Sequence, residues 1–327
     1  MIERRAFLKG LTAASAGLVS RARSGFAAEP APETKRIRLG KYPFAVACVA
    51  PLWVAGELLR ADGFTTVEYV DHPGDSVLLA EGKIDLQFLD SPGLILSADA
   101  GERTVGLAGI HGGCYELFGS TQVRSVRELR GRTVAVQTPG RQAFVAAMTS
   151  YVGLDPRRDV KIVLASDAKQ RFIDGRVDAM LGFPPDPQEL RAKKIGHVLV
   201  NTALDRPWSQ YFCCVATANR DFVQKHPVAT KRALRAIVKA TDLCAAEPEK
   251  VVRSLVERGF LKDHDYSLQA LREVPYRRWR QYDSADTIRF LALRMHEAGV
   301  IKSSPQKIIA DGMDWRFVDE LKKELKG

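Results

Sequence analysis

The side chains able to grip a small molecule gather at a few turns marked by glycine and proline. Arg141 follows Thr138-Pro139-Gly140 and precedes Gln142 at the start of a helical run. A guanidinium there can clamp a carboxylate or sulfonate with paired hydrogen bonds, beside the backbone N–H groups that a helix start leaves free. It can equally be a solvated helix-start residue. Asp90-Ser91-Pro92 closes an apolar run; the carboxylate either accepts from a donor on a ligand or ties the following turn. Phe44, Trp53, Tyr115, Phe183, Trp208 and Tyr211 are rings available to stack on a planar ligand or to fill core. His111-Gly112-Gly113-Cys114 offers two metal ligands, but no further ligands sit at supporting spacing, so no metal site is expected. The five cysteines, at 48, 114, 213, 214 and 244, form no C-x-x-C pair and read as small buried apolar residues. The sequence has no Gly-x-Ser-x-Gly and no nucleotide loop. No catalytic residue and no cofactor is therefore assigned.

These turns sit between alternating strands and helices. Strands are expected at 37–40, 67–70, 84–89 and 105–110, with helices at 48–61, 75–81 and 93–100 between them. Connections of a few residues in such a series predict a parallel sheet with helices packed on it. A second round follows Ser120, with strands at 133–136, 161–164, 177–181 and 198–201 and helices at 126–130, 142–152, 168–174 and 189–194. An apolar strand at 211–217 then leads into helices at 221–224, 227–246, 250–258, 286–298 and 315–325. In open α/β sheets the binding crevice lies beyond the carboxyl ends of the strands. That rule selects the turns described above.

The chain opens with Arg4-Arg5-Ala6-Phe7-Leu8-Lys9, a weakly apolar run from Gly10 to Val19, and Gly25-Phe26-Ala27. A basic start, apolar middle and small-residue exit predict an export signal of the twin-arginine kind, cleaved after Ala27. The run is shorter than the roughly 20 residues a membrane span needs. Five basic residues and one acid leave with this segment, lowering the net charge from +10 to +6. So mild a charge, without a recognised reading motif, speaks against nucleic acid as a partner.

Four stretches carry a family resemblance. They are Ile37 to Gly63; Gly82-Lys83-Ile84-Asp85 with its counterpart Gly175-Arg176-Val177-Asp178; Leu129-Arg130-Gly131-Arg132-Thr133-Val134-Ala135; and Asn219-Arg220-Asp221-Phe222-Val223 through His226-Pro227. In this order they resemble the type 2 periplasmic binding proteins of the nitrate, sulfonate, taurine and pyrimidine-precursor group. Pro139-Gly140-Arg141-Gln142 departs from that group, where small hydroxyl residues are usual, and Asp90 is a second departure. The resemblance implies an α/β fold of two lobes, each a mostly parallel sheet flanked by helices, with C-terminal helices on the first. It divides the chain into signal 1–27, linker 28–35, first lobe 36–118 and 214–327, and second lobe 119–213. It implies a monomeric periplasmic receptor delivering a small ligand to the permease and ATPase of an ABC importer. Phe44, Pro51, Asp90, Ser91 and Gly112 from the first lobe, with Arg141, Gln142 and Phe183 from the second, are the expected ligand contacts. An enzyme on the same fold, of the pyrimidine-precursor or futalosine type, and a periplasmic sensor input are the alternatives. The aspartates of the paired Gly-x-x-Asp elements are expected to be structural.

Overall fold

The computed structural model describes residues 29–43 and 45–325. The expected export signal, residues 1–27, and Phe44 lie outside the described residues.

In chain order the first elements are β1 (Arg36–Lys41), α1 (Ala50–Ala61), β2 (Thr66–Asp71), α2 (Val77–Ala80), β3 (Leu86–Asp90), α3 (Ser91–Asp99) and β4 (Thr104–Gly112). The chain crosses over into β5 (Glu116–Gly119), β6 (Thr133–Val136), α4 (Pro139–Tyr151), β7 (Lys161–Leu164), α5 (Ala168–Ile173), β8 (Ala179–Gly182), α6 (Asp186–Ala192) and β9 (His197–Asn201). It returns through β10 (Phe212–Asn219) into helices α7 (Arg220–Lys225), α8 (Pro227–Ala246), α9 (Pro248–Glu257), α10 (His264–Glu273), α11 (Ser284–Glu297), α12 (Pro305–Gly312) and α13 (Arg316–Glu324).

Two five-stranded sheets result, ordered β2-β1-β3-β10-β4 and β7-β6-β8-β5-β9. The plan is the same in both. β1 pairs in parallel with β2 and β3, and β6 with β7 and β8. One antiparallel strand is then inserted, β10 between β3 and β4, β5 between β8 and β9. Each inserted strand is delivered by a crossover from the other sheet, so the lobes are joined twice. β5 was not expected as a strand; the four residues Glu116–Gly119 belong to the second sheet, although the sequence placed them mainly in the first lobe.

Local chemistry sets the element ends. Pro51 and Pro227 sit in first helical turns, where no N–H is needed. Asn219 caps α7 by accepting from Phe222 N at 3.0 Å. The stripe Leu234, Ile237 and Val238 of α8 is buried in the core, where α8 packs on α1. Helices α8, α11, α12 and α13 cover the first sheet and its helices, while α10 touches α6 and α11 touches α4 across the lobes. One continuous core fills the first lobe and runs under α4. A small separate core, including Phe118, Phe172, Met180 and Leu190, lies on the other face of the second sheet. Among the described residues no helix is long and apolar enough to cross a membrane.

Candidate functional site

The inner end of the crevice is built where two helix starts meet. α3 is capped by Asp90, whose Oδ1 accepts from Gly93 N at 2.7 Å. α4 is capped by Thr138, whose hydroxyl accepts from Arg141 N at 3.3 Å. The starts touch at Gly140: a Cβ there would stand 2.1 Å from Asp90 Oδ1, so only glycine admits this approach. Tyr115, on the first crossover, donates its hydroxyl proton to Asp90 Oδ2 at 3.0 Å. The Tyr115 hydroxyl oxygen in turn accepts from Arg141 Nε at 3.4 Å. A polar chain of Asp90, Tyr115 and Arg141 thus joins the first lobe to the second.

Arg141 is 2% exposed. Its guanidinium lies 3.8 Å from the centre of the Phe183 ring, a cation–π contact in a dry setting. Nη1 donates to Gln137 Oε1 at 3.4 Å. Both side-chain hydrogen bonds are long for a group with five donors. Burial opposes its charge, but Tyr115, Tyr42 and Asp90 outweigh burial and hold it firmly protonated. Burial pushes the Asp90 carboxyl up, against the pull of Arg141 and the Gly93 N–H. Burial also drives the Tyr115 phenol well above its ordinary range.

From this end a cavity of about 770 Å³ opens between the lobes. Pro43, Ala45 and Pro73 line it from one side; Gln137, Lys169 and Phe183 from the other. Lys169 bridges Asp186 at 2.7 Å and Glu189 at 2.8 Å. Across the crevice Ala47 N donates to Pro184 O at 3.0 Å, and Gln188 Nε2 to Glu273 Oε2 at 2.8 Å. Arg191 also pairs with Glu273. Behind this latch, burial raises the Glu116 carboxyl to about 7.

Of the expected contacts, Asp90, Arg141 and Phe183 come together. Phe44 lies outside the described residues, and Ser91, Gly112, Gln142 and Pro51 are engaged elsewhere. The Ser91 hydroxyl donates to Phe212 O at 2.8 Å and stitches α3 to β10. Gly112 lies under Pro275, where a Cβ would meet the ring at 3.0 Å. Gln142 Nε2 donates to Ile162 O at 3.4 Å, and Pro51 is buried in α1. Tyr115 counted only as a ring in the sequence, whereas its hydroxyl carries the bridge. Gln137 and Lys169 went unselected; both follow second-lobe strands, β6 and β7, and the strand-end rule applied to β7 reaches Lys169.

The cysteines are not scattered. Cys48, Cys214 and a His111 ring nitrogen lie within 4.8 Å of one another, and so do His111, Cys114 and Cys213. Hydrogen bonds from Cys114 and Cys214 pull the Cys48 thiol well below its ordinary range. Cys244 stands outside the group, and burial alone drives its thiol up.

Comparison with known proteins agrees with this architecture. The periplasmic nitrate-binding protein NrtA from Synechocystis is similar with a TM-score of 0.74 over 91% of this chain and 90% of its own, at 16% identity. The alkanesulfonate-binding protein SsuA from Xanthomonas axonopodis gives 0.70 over 88% and 100%, at 18% identity. The periplasmic aliphatic sulphonate-binding protein SsuA from Escherichia coli gives 0.65 over 84% and 92%, at 18% identity. At these identities the likeness is one of fold, the two-lobed periplasmic-binding-protein fold. Among curated proteins none matches the chain. The family model described as NMT1/THI5 like matches residues 65–251, more than half the chain, and the protein belongs to that family.

Proposed function

We propose that this protein is the ligand-capturing receptor of an ABC importer and that it holds a small organic anion between its lobes. The observation that carries this reading is Arg141: buried, loosely bonded, at a helix start, stacked on Phe183, and next to a cavity that both lobes line. A ligand touching both lobes favours the closed arrangement, which is what a receptor must signal. The cavity of about 770 Å³ suits an organic molecule and is oversized for nitrate. Phe183 favours a planar body. Asp90 spends both carboxylate oxygens on Gly93 and Tyr115, so a donor on the ligand would reach Asp186 or Glu189 at the mouth instead.

In this reading the sheet β2-β1-β3-β10-β4 and the sheet β7-β6-β8-β5-β9, each with the helices packed on it, are the two closing bodies, the protein acts as a monomer in the periplasm, and a permease and ATPase receive the ligand. Export follows the twin-arginine route: replacing Arg4 and Arg5 with lysine should hold precursor in the cytoplasm, and normal export of that variant would exclude the route. The ligand class is tested by thermal shift against aromatic carboxylates, amino acids, sulfonates, pyrimidines, polyamines, bicarbonate and nitrate. A ligand at 100 times its Kd should add about 2.7 kcal/mol of stability. Stabilisation by organic anions is expected; stabilisation by polyamines or nitrate alone would sink the proposal.

A further inference from the structure

Four cysteines and one histidine, far apart in sequence, converge at the joint between the lobes. Cys48 lies on the turn Ala47–Val49 ahead of α1, and His111 near the end of β4. Cys114 lies on the first crossover, and Cys213 and Cys214 on β10 just after the second. All five are buried and all four thiols are unbridged. Cys114 Sγ and Cys213 Sγ are 3.2 Å apart.

Two local features aim these groups at one another. In a regular strand Cys213 and Cys214 would point to opposite faces. The pairing of β10 with β4 shifts register on either side of Cys214, opposite His111, and this irregularity turns both sulfurs toward the same imidazole. His111 Nδ1 bonds to Gly112 O at 2.7 Å. That bond places the proton on Nδ1 and leaves Nε2 with its lone pair, the arrangement that outer-shell carbonyls impose on metal-binding histidines. Nε2 is buried and has no hydrogen-bond partner. A buried nitrogen left so is costly unless something binds it.

We propose that His111, Cys48, Cys114 and one of the adjacent pair Cys213 and Cys214 form a four-ligand site for one thiophilic d10 cation, Zn(II) or Cu(I), with the other thiol of the pair beside it. The donor set is sulfur and imidazole, with no oxygen ligand, which favours these ions over magnesium or calcium. Tetrahedral coordination at about 2.3 Å from sulfur places neighbouring sulfurs roughly 3.8 Å apart, within the span of this cluster. Each thiol that coordinates gives its proton to solvent. The ion would tie the turn before α1 to both crossovers, fixing the joint about which the lobes close. Because the cluster is buried, loading accompanies folding or an opening of the crossovers.

The test uses the full chain, purified without oxygen and refolded with Zn(II) or, separately, with Cu(I), then dialysed against a weak chelator. About one ion per chain should remain, and Cd(II) exchanged into the site should give a thiolate charge-transfer band. The ion retained identifies the occupant. Cys114→Ser/Cys213→Ser should retain at least about tenfold less metal, whereas Cys244→Ser, outside the cluster, should retain it fully. If the double variant fails to fold, the wild-type chain decides: a strong chelator should lower its thermal midpoint and abolish the cadmium band. Folded wild-type protein that retains neither ion, equal retention in the double variant, or a Cys114–Cys213 disulfide formed in the presence of metal would overturn the proposal.

Discussion

Asp85 and Asp178 occupy the same place in the two sheets. Each follows a glycine turn, at Gly82 and Gly175, that needs positive φ, 71° and 68°. Each carboxylate accepts from a backbone N–H of the first parallel strand, Arg38 N at 2.7 Å and Thr133 N at 2.9 Å. Each pairs with an arginine, Arg38 at 2.5 Å and Arg132 at 3.2 Å. Each main-chain carbonyl accepts from the end of the inserted antiparallel strand, Asn219 N at 2.9 Å and Ser120 N at 2.8 Å. The difference is solvent. The Asp85 side chain is 5% exposed and the Asp178 side chain 28%. With burial so different, one repeated device carries unequal energetic weight in the two lobes.

The largest expected effect follows from that contrast. Asp85→Ala leaves Arg38 and its N–H without their acceptor in a nearly dry place, and should cost about 3–4 kcal/mol in urea unfolding. A cost below that of Asp178→Ala would break the comparison.

A pH effect comes next. His72 follows β2, and its N–H donates to Lys41 O; in the second lobe the matching position is Ala165, donating to Val136 O. Burial lowers the His72 imidazole from 6.5 to about 4. Its Nδ1 accepts from Gly74 N at 3.2 Å, a bond that protonation would destroy. Below pH 6.5 the unfolded chain takes up a proton that the folded chain refuses until about pH 4. Stability from this residue is therefore complete above pH 6.5 and falls by up to about 3 kcal/mol as pH drops to 4. His72→Phe should show a shallower acid slope between pH 7 and 4.5 than wild type. An unchanged slope would remove His72 from the account.

The smallest effect is Asp178→Ala, about 1 kcal/mol, because water can replace much of what the exposed carboxylate supplied. Equal costs for the two aspartates would mean that burial is not what separates the lobes.

The paired Gly-x-x-Asp turns were legible in the sequence because glycine, a basic residue and aspartate stand at fixed spacing. The parallel strands were legible from short apolar runs between turn residues. β5 was not, since Glu116–Gly119 opens on a charged residue and directly follows β4 and a crossover, with no helix between to set it apart. Helices α10 and α12 also went unassigned; α10 buries Ser267, Ala270 and Leu271, too thin an apolar stripe to stand out. The crevice rule selected Asp90, Arg141 and Phe183, which the fold brings together, but also Ser91 and Gly112, which bond or pack elsewhere, because strand-end position does not say which way a side chain is used. The cysteine cluster was invisible to spacing rules: Cys114 and Cys213 are 99 residues apart and meet only when both crossovers form.

The claim that a ligand anion is held between the lobes by Arg141 is tested most directly by calorimetry. The strongest organic anion from the thermal-shift series would be titrated into wild type, Arg141→Lys and Arg141→Ala. Wild type should bind one molecule per chain. Arg141→Ala should bind more weakly by about 1.5–3 kcal/mol, the worth of a hydrogen bond to a charged group. Arg141→Lys should fall between, since lysine keeps the charge but loses the planar fork. Equal affinity in all three folded proteins would contradict the account.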